Sequence, residues 1–188
     1  MDICIFGASG DHIDPVYISR TEALGRLLAQ RGHSLIFGGG AHGLMGAAAR
    51  GFTAGGGRIT GVAPRFFDLP GVLYPACDEF VWPESMRDRK KYMEDRADSF
   101  IVAPGGIGTY EEFFEVLTWK QRARHAKPIV LFNVNGFFDR LLALIRENVD
   151  EGFIREQTPE LFCTAATPEE AARLAETAGT DINGIVFY

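Results

Sequence analysis

Short runs rich in β-branched and aromatic residues recur along this chain, separated by longer segments of helical period, and no other feature narrows its fold as much. A strand, an amphipathic helix and a second strand together form the unit that builds a parallel sheet with helices packed against it. The runs predict strands at 3–6, 34–37, 58–62, 79–82, 99–103, 129–132 and 161–164. Helices are expected over 15–30, 44–54, 86–97, 110–124, 138–149 and 168–177. Two of those starts carry capping signals: Ser85 with Asp88 three positions on, and Thr167-Pro168-Glu169-Glu170 with its first-turn proline and reciprocal glutamate. The expected fold is therefore α/β, with a central parallel sheet and helices on both faces. The 188 residues suffice for one sizeable core and argue against two, so a single domain spanning 1–188 is expected. Pro64, Pro70, Gly71 and Pro75 mark 64–77 as an irregular loop crossing a sheet edge or a site mouth. The closing residues, Ile185 to Tyr188, are apolar after a polar turn and either pack or fray.

Charge restricts the partners. Nineteen basic against 25 acidic residues give a net charge of -6, which disfavours broad attraction to nucleic acid or to an anionic membrane. A phosphate group would have to be held locally. Cys4, Cys77 and Cys163 are odd in number and widely spaced, suggesting reduced thiols rather than a disulfide framework or a zinc site. The opening Met1-Asp2-Ile3-Cys4-Ile5-Phe6 has no basic leader or long apolar run, so a cytoplasmic location is expected.

Two glycine-rich loops each follow a strand and precede a helix. In the first, Gly38-Gly39-Gly40-Ala41-His42-Gly43-Leu44-Met45-Gly46, residues Gly38, Gly40 and Gly43 satisfy the GxGxxG spacing. A dinucleotide site would also need a carboxylate near the end of the next strand, yet none appears in 58–62 or before Asp68. The glycines then serve either a tight turn with close helix packing or the approach of a mononucleotide. In the second loop, Phe100-Ile101-Val102-Ala103 runs into Pro104-Gly105-Gly106-Ile107-Gly108-Thr109 and straight into a helix. Free N–H groups at that start would face an anion. No GK[ST] follows, so a monophosphate fits better than a triphosphate.

The helix after the second loop reads Tyr110-Glu111-Glu112-Phe113-Phe114-Glu115-Val116-Leu117-Thr118-Trp119. Phe113, Val116 and Leu117 centre its buried stripe, Glu111 points away, and Glu112 falls on the stripe's edge. Glu112 is thus either a partly desolvated carboxylate beside a ribose or the glutamate of a capping box with Thr109. In the helix expected at 86–97, Met86, Met93 and Ala97 form an apolar stripe with Lys90 inside its arc and Arg89 at its edge, while Arg87 and Lys91 look solvated. That helix feeds the strand that delivers the phosphate loop.

Together, Pro104-Gly105-Gly106-Ile107-Gly108-Thr109-Tyr110-Glu111-Glu112 and the preceding Met86-x-x-Arg89-Lys90 match PGGxGTxxE and its partner motif, and the chain resembles the Lonely Guy (LOG) family. Members are cytokinin riboside 5'-monophosphate phosphoribohydrolases, once misnamed lysine decarboxylases. The resemblance runs from the first strand through Gly38-Gly39-Gly40 and Gly43-Leu44-Met45-Gly46 to about Phe153. It implies a Rossmann-like three-layer sandwich and a homodimer that needs neither metal nor cofactor. It also implies Arg89 and Glu112 as the catalytic pair, and Gly105, Gly106, Gly108 and Thr109 as holders of the 5'-phosphate. Met86, Lys90, Gly39, Gly40 and Ser9 join them as substrate-binding candidates. The implied reaction frees the base and ribose 5-phosphate from an N6-substituted AMP. The alternatives are a general AMP or purine monophosphate nucleosidase and a nucleotide or molybdenum-cofactor carrier. Arg87 replaces the histidine of many members, and Gly7-Ala8-Ser9-Gly10 replaces their Gly-Ser-Ser; both departures bear on base specificity. Pyridoxal phosphate chemistry would need a Schiff-base lysine, and none of Lys90, Lys91, Lys120 and Lys127 has a context suggesting one.

Overall fold

In a computed structural model that describes residues 1–177, strands and helices alternate as the sequence predicts. They are β1 (Asp2–Phe6), α1 (Pro15–Gln30), β2 (Ser34–Phe37), α2 (Gly43–Gly55), β3 (Ile59–Val62), β4 (Glu79–Val81), α3 (Met86–Arg96), β5 (Ser99–Val102), α4 (Ile107–Gln121), β6 (Ile129–Phe132), α5 (Asp139–Asp150), β7 (Cys163–Ala165) and α6 (Pro168–Ala175). The strands form one sheet in the order β4-β3-β2-β1-β5-β6-β7, and every pairing is parallel.

Successive side chains of a strand point to opposite faces, so the inner strands feed two cores. Ile3 and Ile5 join Leu24, Leu28, Ala48, Phe52 and Ala172 beneath α1, α2 and α6. Cys4 and Phe6 join Met93, Phe113, Val116, Leu141 and Ile145 beneath α3, α4 and α5. Two helical layers thus enclose the sheet in an α/β three-layer fold. Both glycine-rich loops leave the carboxyl ends of the strands. The strand order reverses between β1 and β5, and such a reversal opens a crevice where ligands bind in sheets of this kind.

The expected helix caps form: Ser85 Oγ accepts from Asp88 N at 3.1 Å, and Thr167 Oγ1 accepts from Glu170 N at 3.2 Å. The larger departures from the expected boundaries lie at β7 and α4. A 3-10 turn, Thr158–Leu161, occupies the start of the last predicted strand, and β7 begins only at Cys163. Helix α4 starts three residues early, inside the glycine-rich segment, and ends at Gln121. Its end is set by Ala123, whose φ of 52° is left-handed. There Ala123 N donates to Lys120 O and Arg124 N to Trp119 O, each at 3.0 Å, which is the Schellman arrangement with alanine in glycine's usual place. The segment 64–77 is irregular apart from a 3-10 turn at Arg65–Phe67. It lies along the first glycine-rich loop, where Ala41 N donates to Val72 O at 2.9 Å and Tyr74 N to Gly39 O at 2.8 Å. Cys4, Cys77 and Cys163 are free thiols. No helix among the described residues is long and apolar enough to cross a membrane. The expectation for Ile185 to Tyr188 lies outside the described residues.

Candidate active site

Three loops leave the same end of the sheet side by side. Strand β1 runs into Gly7-Ala8-Ser9, β2 into Gly38-Gly39-Gly40, and β5 into Pro104-Gly105-Gly106. Because β1 lies between β2 and β5, segments about a hundred residues apart in sequence become neighbours. The β1 loop is latched to both sides: Ala8 N donates to Pro104 O at 3.0 Å, and Ala8 O accepts from Leu44 N at 2.8 Å and from Met45 N at 3.3 Å. Around these loops opens a cavity of about 530 Å³. Ser9, Gly38, Gly40, Arg89, Gly106, Gly108, Thr109 and Glu112 are among the residues lining it, with Met45, Phe67, Val72, Leu73 and Ile107 giving apolar surface.

Helix α4 brings its N-terminus to this cavity. Gly106 is the N-cap, in extended conformation, and no side chain caps the helix. The first helical bond is Tyr110 N to Gly106 O at 3.1 Å. Among the described residues the N–H groups of Ile107, Gly108 and Thr109 have no acceptor. Three unpaired donors at the positive end of a helix favour an anion. Gly105 lies beneath Thr109, where an added Cβ would fall 2.1 Å from Thr109 Oγ1, so the loop passes the hydroxyl at a distance only glycine permits.

Thr109 is the third residue of α4 and not its cap, so Thr109-x-x-Glu112 does not form a capping box. Glu112 instead faces Arg89, with Oε1 3.6 Å from Nη1 and side-chain exposures of 14% and 9%. Arg89 Nε donates to Val62 O at 2.9 Å, fixing the guanidinium at the end of β3. Burial pushes the Glu112 carboxyl up to about 7, against the pull of Arg89 and with a smaller push from Glu111. A carboxyl poised there can exchange a proton near neutral pH.

The other candidates separate. Gly39 lies outside the residues lining the cavity, and an added Cβ there would come within 3.0 Å of Phe80. Met86 is 41% exposed and lies outside the residues lining the cavity. Lys90 also lies outside them and pairs with Glu111 and Glu115. Burial opposes its charge, but the two carboxylates prevail and hold Lys90 above the ordinary lysine value. All four lysines lie outside the cavity lining. Arg87 and Lys91 are exposed, as expected. The sequence places Gly38, which adjoins Arg89, in the GxGxxG spacing but not among the site residues, and it gives no sign of the Val62 carbonyl. No residue pattern marks a backbone acceptor, but the triple glycine could have suggested that something large packs against it.

A family model described as "Possible lysine decarboxylase" matches residues 45–175. The cytokinin riboside 5'-monophosphate phosphoribohydrolase LOG2 of Arabidopsis thaliana is 35% identical, over 93% of this chain and 82% of its own. The enzyme of the same name, LOG, from Oryza sativa subsp. japonica is 38% identical, over 89% of this chain and 69% of its own. The solved molybdenum cofactor binding protein of Rippkaea orientalis superposes with a TM-score of 0.71 over 92% of this chain and 93% of that chain, and at 22% identity this is a likeness of fold alone. By both its family model and the extent of its relatives, the chain belongs to the LOG family.

Proposed function

We propose that this chain hydrolyses the N-glycosidic bond of an adenosine 5'-monophosphate bearing an N6 substituent, giving the free base and ribose 5-phosphate. The observation that carries this reading is the buried Glu112 carboxyl, facing Arg89 within about a turn of three unpaired N–H groups on the same helix. The substrate named for the relatives LOG2 and LOG is a riboside 5'-monophosphate, which supplies a phosphate for one end of such a site and a ribose for the other.

Departure of the base leaves oxocarbenium character at C1', so negative charge beside the ribose lowers the barrier. Glu112 supplies that charge and accepts the proton that the attacking water gives up. The water oxygen joins C1', the C1'–N9 bonding pair leaves with the base, and the proton passes on to the base nitrogen. Arginine is a poor proton donor, so Arg89 acts as a fixed positive charge that orients Glu112 and favours its ionised form. The N–H groups of Ile107, Gly108 and Thr109 hold the unreactive 5'-phosphate and so fix the ribose against Glu112.

Incubation with AMP and with N6-isopentenyl AMP, followed by assay of free base and ribose 5-phosphate, tests the reading. Release of both products from the substituted nucleotide supports it. Faster release from AMP would favour a general nucleosidase, and tight binding without release would favour a carrier, for which the fold likeness is the only support. The active unit is proposed to be a homodimer. Ile107, Phe114 and Trp119 on α4 and Met86 on α3 are large apolar side chains left exposed, with Ile107 89% accessible. Sedimentation as a dimer at micromolar concentration is expected, and a fully active monomer would contradict it. Its three free thiols suit the reducing cytoplasm.

A further inference from the structure

Arg89 reaches the cavity between the ends of two neighbouring strands. On the β3 side, its Nε donates to Val62 O at 2.9 Å. On the β2 side stands Gly38, the first residue beyond the strand. A Cβ built on Gly38 would lie 1.8 Å from Arg89 Nη2 and 3.0 Å from its Cζ, so the guanidinium occupies the space any other residue's side chain would take. Conformation gives no reason for glycine here, because Gly38 is absent from the positive-φ positions. The next nearest atom is Met45 Sδ at 3.2 Å, the middle of a flexible side chain. The requirement for glycine is therefore set first by Arg89, whose guanidinium supplies the two closest atoms.

We infer that Gly38 is a positioning residue for the reaction: its missing side chain is the seat that holds the Arg89 guanidinium against Glu112. The inference rests on the proposed roles of Arg89 and Glu112. The first glycine-rich loop then serves the chemistry from the strand end, by letting an arginine from α3 lie between the ends of β2 and β3. Gly38→Ala leaves the backbone allowed and displaces the far end of a flexible side chain, so the variant folds while the guanidinium swings away from Glu112. Two consequences follow. Turnover falls, because an Ångström of misplacement costs up to about a hundredfold. Glu112 also loses its counter-charge, so its carboxyl moves still higher, by roughly one pH unit or more.

The test combines Gly38→Ala, Arg89→Ala and the double variant. For Gly38→Ala the expected result is a kcat lowered roughly ten- to a hundredfold with KM for the 5'-monophosphate near wild type, and a carboxylate limb of the kcat profile displaced to higher pH. Adding Gly38→Ala to Arg89→Ala should cost nothing further, because a residue that acts only through Arg89 has no effect once Arg89 is gone. Wild-type kcat and pH profile in Gly38→Ala would overturn the inference, as would losses that multiply in the double variant. If Gly38→Ala does not fold, the double variant, freed of the clash, should; failure of both to fold would overturn the inference too. If the wild-type protein shows no hydrolysis at all, the functional reading fails instead. Titration of the Glu112 carboxyl by carbon NMR then still decides the role of Gly38, since a higher midpoint in Gly38→Ala supports the seat and an unchanged one refutes it.

Discussion

Helices α2 and α4 both begin at a glycine-rich loop leaving a parallel strand, yet their N-termini end in opposite states. At α2, Gly43 N donates to Asp11 Oδ1 at 2.9 Å, while Leu44 N and Met45 N converge on Ala8 O. Its first turn is filled by the neighbouring loop. At α4, the N–H groups of Ile107, Gly108 and Thr109 find no acceptor among the described residues and open on the cavity. The same local pattern thus yields a structural joint in one place and an anion cradle in the other. What separates them is whether another chain segment supplies acceptors, and a glycine motif does not encode that.

The largest expected effect lies with Glu112, the carboxyl that sits behind the open helix end. Glu112→Gln should lower kcat by roughly two to four orders of magnitude in a folded protein, with nucleotide binding by calorimetry near wild type. Near-normal turnover would favour the carrier reading over hydrolysis through Glu112. Stability should move the other way. The folded Glu112 carboxyl is raised from its ordinary 4.5 to about 7, so its protonated form is favoured on folding. The stability it lends is complete below pH 4.5 and is lost as pH rises through 7. Above pH 7, Glu112→Gln should therefore be more stable than wild type, by at most about 3 kcal/mol, and the gain should vanish near pH 4. Thermal melts at pH 8 and pH 4 check the sign.

Two smaller effects would sharpen the contrast between the helix ends. Thr109→Val removes a hydroxyl at the open end and should raise KM for the monophosphate roughly tenfold with little change in the melting temperature. The matching nucleoside, lacking the phosphate, should be a poor substrate for wild type and insensitive to this change. Asp11→Ala acts at the filled end, where Asp11 also pairs with His42 at 2.7 Å. It should lower the melting temperature by at most a few degrees, as loss of an exposed cap does, and leave KM within about threefold. If Asp11→Ala raised KM as much as Thr109→Val, the two ends would not be distinct.

The sheet was legible because strands buried on both faces read as short apolar runs, as in Ser34-Leu35-Ile36-Phe37 and Ile129-Val130-Leu131-Phe132. The start of α4 was misplaced because Gly106 and Gly108 look like loop, although an unpaired first turn accepts glycine readily. Helix α3 shows the sharper limit. Counting Met86 into the apolar stripe put Lys90 inside the buried arc and Arg89 at its edge, whereas Met86 is exposed and the buried residues of α3 are Arg89 and Met93. A single exposed methionine turned the wheel. The choice between cap and cavity for Glu112 depended on where α4 begins, a boundary that periodicity does not fix. The Gly38 seat and the Val62 anchor arise only when β2, β3 and α3 meet.

The contrast between the two helix ends is open to direct observation by titrating the nitrogen-15-labelled protein with inorganic phosphate and following the backbone amides. Large, saturable shifts are expected at Ile107, Gly108 and Thr109, with Gly43, Leu44 and Met45 nearly unmoved. Shifts centred on Gly43 to Met45, or none at the start of α4, would contradict it.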